Sequence, residues 1–322
     1  MPKLRTFGLV ALYVGAQLVA LLLALPFRSA GLASNANPNS PASPLYLILV
    51  VVGASFVILW ISKRSGGLTA LRWFILFGIA GSLAITLYAT FGLFLPAPTY
   101  LGSTGTGQVL DYALPLALST AVVMFLALLM RPEWWVVDTV GFVAAGSLIA
   151  LLGISFGILP TFLLLIALAV YDAIAVYWTK HMLSLADVVT EMKLPILMVM
   201  PDAAGFDYTR RGSFQEQRRV PVEEREAVFM GLGDVVFPGI LVVSAFVWLP
   251  TTVQFLGVGA NLLVGLGALV GSLCGYAVLM RLVAGGNAQA GLPLLNGGAL
   301  AGYVVAYLLL FHSLGLGFSL SF

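Results

Sequence analysis

The chain has 322 residues, 61% of them hydrophobic and 9% charged, where a soluble domain carries about 25% charged residues. With a mean hydropathy of +1.05, that composition excludes a soluble globular domain and implies an all-α polytopic membrane protein. The net charge of +2 is uninformative as a sum, and no nucleic-acid partner is expected. Cys274 is the single cysteine, and His181 and His312 lie far apart. No disulfide, metal site or cofactor is therefore expected.

Apolar runs long enough to span a bilayer lie at 7–27, 45–62, 71–95, 109–130, 135–152, 157–179, 227–249, 257–280 and 291–316. No small-residue cleavage site follows the first, so it reads as a retained span and not a signal peptide. Pro, Gly or charge marks most boundaries, as at Pro26-Phe27-Arg28, Ser62-Lys63-Arg64 and Arg131-Pro132-Glu133. The weakest break is at 153–157; without it the count falls to eight and both termini share a side. Charge favours nine. Of the 15 lysines and arginines, Arg28 alone falls on the side opposite the N-terminus. The positive-inside rule puts the N-terminus in the cytoplasm and the C-terminus outside, as expected for a multi-pass protein of the cell membrane.

Three segments follow: 1–180 with spans one to six, a cytoplasmic loop at 181–226, and 227–322 with spans seven to nine. In the loop, Ser184 and Asp187 resemble a capping arrangement for a short helix to Lys193, which Pro195 stops. The apolar run 196–200 is either a strand or a segment along the membrane surface. The composition from Pro201 to Arg219 reads as mobile loop. Pro221 followed by Glu223, Glu224 and Glu226 reads as a helix N-terminus leading into span seven.

Of the 13 acidic residues, Asp172 and Asp234 stand out as the ones well inside apolar runs, where an ionisable group is expensive and marks function by default. Asp172 lies eight residues before Lys180 and Asp234 eight after Glu226. At about 1.5 Å per residue, both carboxyls would lie about 12 Å below the cytoplasmic surface. Two carboxyls within a few ångströms share a proton, so one can take a proton from water while the other gives one to a peptide carbonyl. Gly231 and Gly233, just before Asp234, weaken the helix and give close backbone approach and room for substrate and water. Glycines at 267, 271 and 275 read as packing positions. In span nine, Ala290-Gly291-Leu292-Pro293 allows two readings: an extended backbone at Gly291–Leu292, or a first-turn proline of the helix. Asn296 is either a polar contact to the site or, the favoured reading, an interhelix hydrogen bond.

Tyr171-Asp172 in a sixth span, Gly231-Leu232-Gly233-Asp234 in a seventh and a Pro-containing stretch opening a ninth resemble the presenilin and signal peptide peptidase family, most closely its archaeal members. The resemblance implies an intramembrane aspartyl protease with nine helices and a dyad of Asp172 and Asp234 that hydrolyses membrane-spanning substrate helices. It implies substrate contacts at Tyr171, Gly231, Leu232, Gly233, Gly291, Leu292 and Pro293, and substrates with their N-termini outside. The family's Pro-Ala-Leu motif is reduced here to Leu292 and the following Pro293. No partner subunit is expected to be required beyond substrate and lipid bilayer. Two alternatives compete. A proton- or cation-coupled transporter would use the same two acids, but no repeated halves are visible. A prepilin-peptidase-like protease would have fewer spans.

Overall fold

The computed structural model describes residues 2–35, 37–95, 99–101, 108–131, 133–178, 197–201, 227–284 and 289–318. Among them are nine α-helices: α1 (Pro2–Ser29), α2 (Ala42–Ser62), α3 (Gly67–Phe94), α4 (Ala113–Met130), α5 (Trp134–Ser155), α6 (Ile158–Ala173), α7 (Leu232–Trp248), α8 (Ala260–Ala284) and α9 (Leu292–Phe311). Eight, counting the turn that extends α6, are long and apolar enough to cross a membrane; α7, with 17 residues, is the short one. The break at 153–157 is genuine. Phe156 and Gly157 are extended between α5 and α6, and the Gly157 N–H donates to the Pro38 carbonyl at 2.8 Å.

Three antiparallel strand pairs complete the described structure: β1 (Thr99–Leu101) with β2 (Gln108–Leu110), β3 (Leu197–Pro201) with β4 (Ala227–Gly231), and β5 (Gln254–Phe255) with β6 (Val258–Gly259). The first pair corrects the expected start of span four at 109, because the helix begins at Ala113. The second corrects span seven. Residues 227–231 are a strand, not the opening turn of a helix, and β3 resolves the open reading of run 196–200 as a strand. Short apolar runs carry no decisive period; here Val228 and Phe229 favour the sheet, and Gly231 and Gly233 weaken a helix. The expected short helix at 184–193, the mobile stretch 201–219 apart from Pro201, and the helix start at 221–226 lie outside the described residues.

Helix α7 is the hub. It packs against α1, α5, α6, α8 and α9, and from Val235 to Ala245 all but Phe237 are buried. Its roughly 25 Å length falls short of a bilayer core of about 30 Å, and β4 leads directly into it. At the far end, Arg28 ties α1 to α7: its Nη1 donates to the Val247 carbonyl at 3.2 Å and its guanidinium lies 4.5 Å over the Trp248 ring. Helices α8 and α9 meet backbone to backbone. A Cβ on Gly271 would lie 2.8 Å from Gly302 Cα, and one on Gly275 would lie 2.8 Å from the Leu294 carbonyl carbon. The packing role read for glycines 267, 271 and 275 holds.

Candidate active site

Asp172 stands in the last turn of α6 and is buried, at 5% exposure. The chain then widens into a π-helical turn, Ile174–Trp178, the kind of local irregularity that collects at functional sites. Asp234 stands in the first turn of α7, half-buried, just after strand β4 ends. The depth count from Glu226 therefore changes, because 227–231 advance as strand and not as helix. Both acids nonetheless approach one stretch of a third element, residues 291–292. Pro238, one turn on, has no N–H to offer the Asp234 carbonyl.

The third element is the N-terminus of α9. Gly291 is its N-cap with helical dihedrals, φ −78° and ψ −47°. The first-turn proline reading is thus correct for Pro293, and the expected extended backbone at Gly291–Leu292 is not observed. What makes the stretch available is different: first-turn N–H groups have no partner within their own helix. The Leu292 N–H donates to Asp172 Oδ2 at 3.1 Å. Gly291 turns its bare face to the other acid, where a Cβ would lie 3.1 Å from Asp234 Oδ1. Gly231 does the same from β4, at 3.3 Å from Asp234 Oδ2.

Five of the expected site residues thus come together: Asp172, Asp234, Gly231, Gly291 and Leu292. Three of the others point elsewhere. A Cβ on Gly233 would meet the Phe237 ring, not the acids. Leu232 packs against the core that α1, α5 and α7 share with α6, α8, α9 and the β3–β4 strands. Pro293 lines an outward apolar groove with Gly271 and Gly275. Tyr171 is half-buried beside Asp172. Asn296 makes the interhelix bond, Nδ2 donating to the Leu165 carbonyl at 3.0 Å.

Sequence reasoning passed over two residues. Tyr177, in the π-helical turn, donates from its hydroxyl to Gln289 Oε1 at 2.9 Å and accepts the Ala290 N–H at 3.3 Å. It latches the strand of chain that leads into Gly291. The second is Asp138, the fifth residue of α5 and 95% buried. Its carboxylate accepts the Val199 N–H of β3 at 2.7 Å. The signal open to sequence reasoning is the acid itself, the fourth residue of the run 135–152.

A family profile described as "Signal-peptide peptidase, presenilin aspartyl protease" matches residues 10–311. The chain belongs to that family. It is an intramembrane aspartyl protease, a hydrolase built as a multi-pass membrane protein. Two crystal forms of a presenilin family intramembrane aspartate protease are similar in fold at 32% sequence identity. The first covers 94% of this chain and 98% of its own, with a TM-score of 0.66. The second covers 94% and 97%, with a TM-score of 0.63. No curated protein matches the chain. Membership in the family decides between the two readings of the chain, for proteolysis and against transport.

Proposed function

We propose that Asp172 and Asp234 are the catalytic dyad, and that the N-terminus of α9 holds the substrate backbone against them. One observation carries this reading: both carboxyls converge on Gly291–Leu292, one through the Leu292 N–H and the other against the open face of Gly291. In the first step one carboxylate removes a proton from water as the water oxygen bonds to the scissile carbonyl carbon. The protonated carboxyl gives its proton to the carbonyl oxygen, forming a gem-diol. In the second step a proton reaches the amide nitrogen, the C–N bond breaks, and a carboxylic acid and an amine leave. Each turnover consumes one water and returns the single shared proton to the pair.

Substrates are transmembrane helices that unwind locally before cleavage, since a helical peptide carbonyl is engaged within its own helix. Gly231 and Gly291 keep the space beside Asp234 clear for that extended backbone. Tyr171, next to Asp172, and Leu232 and Gly233, between Gly231 and Asp234, contribute through the backbone that carries the acids, and Pro293 by opening the first turn of α9. The chain acts as a single subunit in the cell membrane, with its N-terminus cytoplasmic, the loop 181–226 on the same side, and preferred substrates entering with their N-termini outside.

The test is binding of a hydroxyl-bearing transition-state isostere to purified protein. Parent protein is expected to bind it, and Asp172→Asn and Asp234→Asn to lose at least a hundredfold in affinity. Retention of tight binding by either variant would remove that residue from the dyad.

A further inference from the structure

We infer that Asp138 is a positioning residue for proteolysis: by fixing the β3–β4 hairpin on α5, it sets where α7 begins and so where Asp234 stands. This rests on the reading of Asp172 and Asp234 as the dyad. An acid in a membrane span is expensive to keep, and Asp138 sits among apolar neighbours Val136, Val137 and Val140. Its Oδ1 accepts the Val199 N–H at 2.7 Å, while Oδ2 is buried without a partner among the described residues. Asp138 is thus not a solvated surface charge, and no described residue forms an ion pair with it.

What it holds is the middle of a strand. Val199 is the central residue of β3, whose five residues pair with β4 from Leu197↔Gly231 to Pro201↔Ala227. In an antiparallel pair, N–H groups alternate between the partner strand and the outer edge. Val199 points outward, and the carboxylate of Asp138 takes the place of a further strand. Pro201, two residues on along the same edge, has no N–H at all. A one-residue slip would turn every side chain of the strand over and withdraw the Val199 N–H from Asp138. The carboxylate therefore fixes the register as well as the position of the hairpin.

The consequence travels a short way. Gly231 is at once the last paired residue of β4 and the N-cap of α7, three residues before Asp234. Helix α1 closes the hairpin from another side, because bare Gly8 receives the Met200 side chain, which leaves no room for a Cβ there. A displacement of β3 is handed through β4 to Gly231 and on to the first turn of α7.

Four variants separate position from charge. Asp138→Asn keeps an acceptor at the same place and loses the charge. Asp138→Glu keeps the charge but moves the acceptor by about one carbon–carbon bond, about 1.5 Å. Asp138→Leu removes the acceptor, and Asp172→Asn run alongside reports the dyad. Steady-state cleavage of a single-span reporter helix and thermal unfolding are measured for each in detergent. Expected are a kcat within threefold of parent for Asp138→Asn, and a fall of about tenfold or more for Asp138→Glu and Asp138→Leu, with KM within twofold. If Asp138→Leu does not fold, the Asn and Glu pair decides. The opposite order, Glu active and Asn dead, makes the charge the cause and overturns the inference. Parent-like kcat in Asp138→Glu, or losses that appear only in melting temperature, overturn it too. Those failures with Asp172→Asn inactive leave the dyad intact; an active Asp172→Asn removes the dyad instead.

Discussion

The closest backbone contact near the site makes a sharp prediction for Gly275→Ala. A Cβ there would fall on the carbonyl oxygen of Leu294, 2.8 Å from its carbonyl carbon and 3.2 Å from Leu295 Cα. Both neighbours are backbone of α9, so no side-chain rotation relieves the overlap. Carbon atoms settle about 3.5–4.0 Å apart, so α8 and α9 must separate by about 0.7 Å or more. Leu294 is two residues from Leu292, whose N–H reaches Asp172 at 3.1 Å; the same separation carries that bond to the edge of hydrogen-bonding range or beyond. Misplacement by about 1 Å at a site costs about a hundredfold in rate, so kcat/KM is expected to fall by about 10- to 100-fold. Overpacking should cost about 1–3 kcal/mol of stability. Gly297→Ala is the matched control. It lies in α9, a Cβ there meets nothing within 4 Å, and alanine favours the helix by about 1 kcal/mol. Cleavage of a reporter helix and a thermal melt measure both variants. Parent-like activity and stability in Gly275→Ala would refute the reasoning, as would equal losses in the two variants.

Two further substitutions test how the site is held. Tyr177→Phe removes the hydroxyl that meets Gln289 and the Ala290 N–H; with net hydrogen bonds contributing about 0.5–1.5 kcal/mol and this side chain half exposed, kcat/KM should fall about two- to fivefold. An unchanged value in steady-state cleavage would make the latch incidental. Asn296→Ala deletes the interhelix bond to the Leu165 carbonyl, which should lower stability by about 0.6–2 kcal/mol, read as a lowered midpoint in thermal or denaturant unfolding. No shift would mean that the carbonyl finds another partner.

The two buried acids were legible because charge is costly in an apolar run, and Asp172 and Asp234 stand out against that background. The helix count was legible for a related reason: glycines at 153 and 157 interrupt an otherwise continuous run, and the lysines and arginines fall almost all on one side. The strand at 227–231 was not. Five apolar residues fit a strand or a buried helix equally well, and the choice is made by β3, some 30 residues upstream along the chain. The stretch at 291–293 allowed two conformations in sequence, and the first-turn proline is the one the structure shows. Its use lies in the unpaired N–H groups of a helix start, not in extended backbone. Asp138 and Tyr177 work through partners far away in sequence, at Val199 and Ala290, and no local pattern announces such pairs.

The most direct measurement is cleavage of a single-span reporter helix by purified protein, comparing parent with Asp172→Asn and Asp234→Asn of equal thermal stability. The account predicts that the parent cuts within the membrane-spanning segment, and that each variant loses at least a thousandfold in rate. Cleavage by either variant at the parent rate would contradict it.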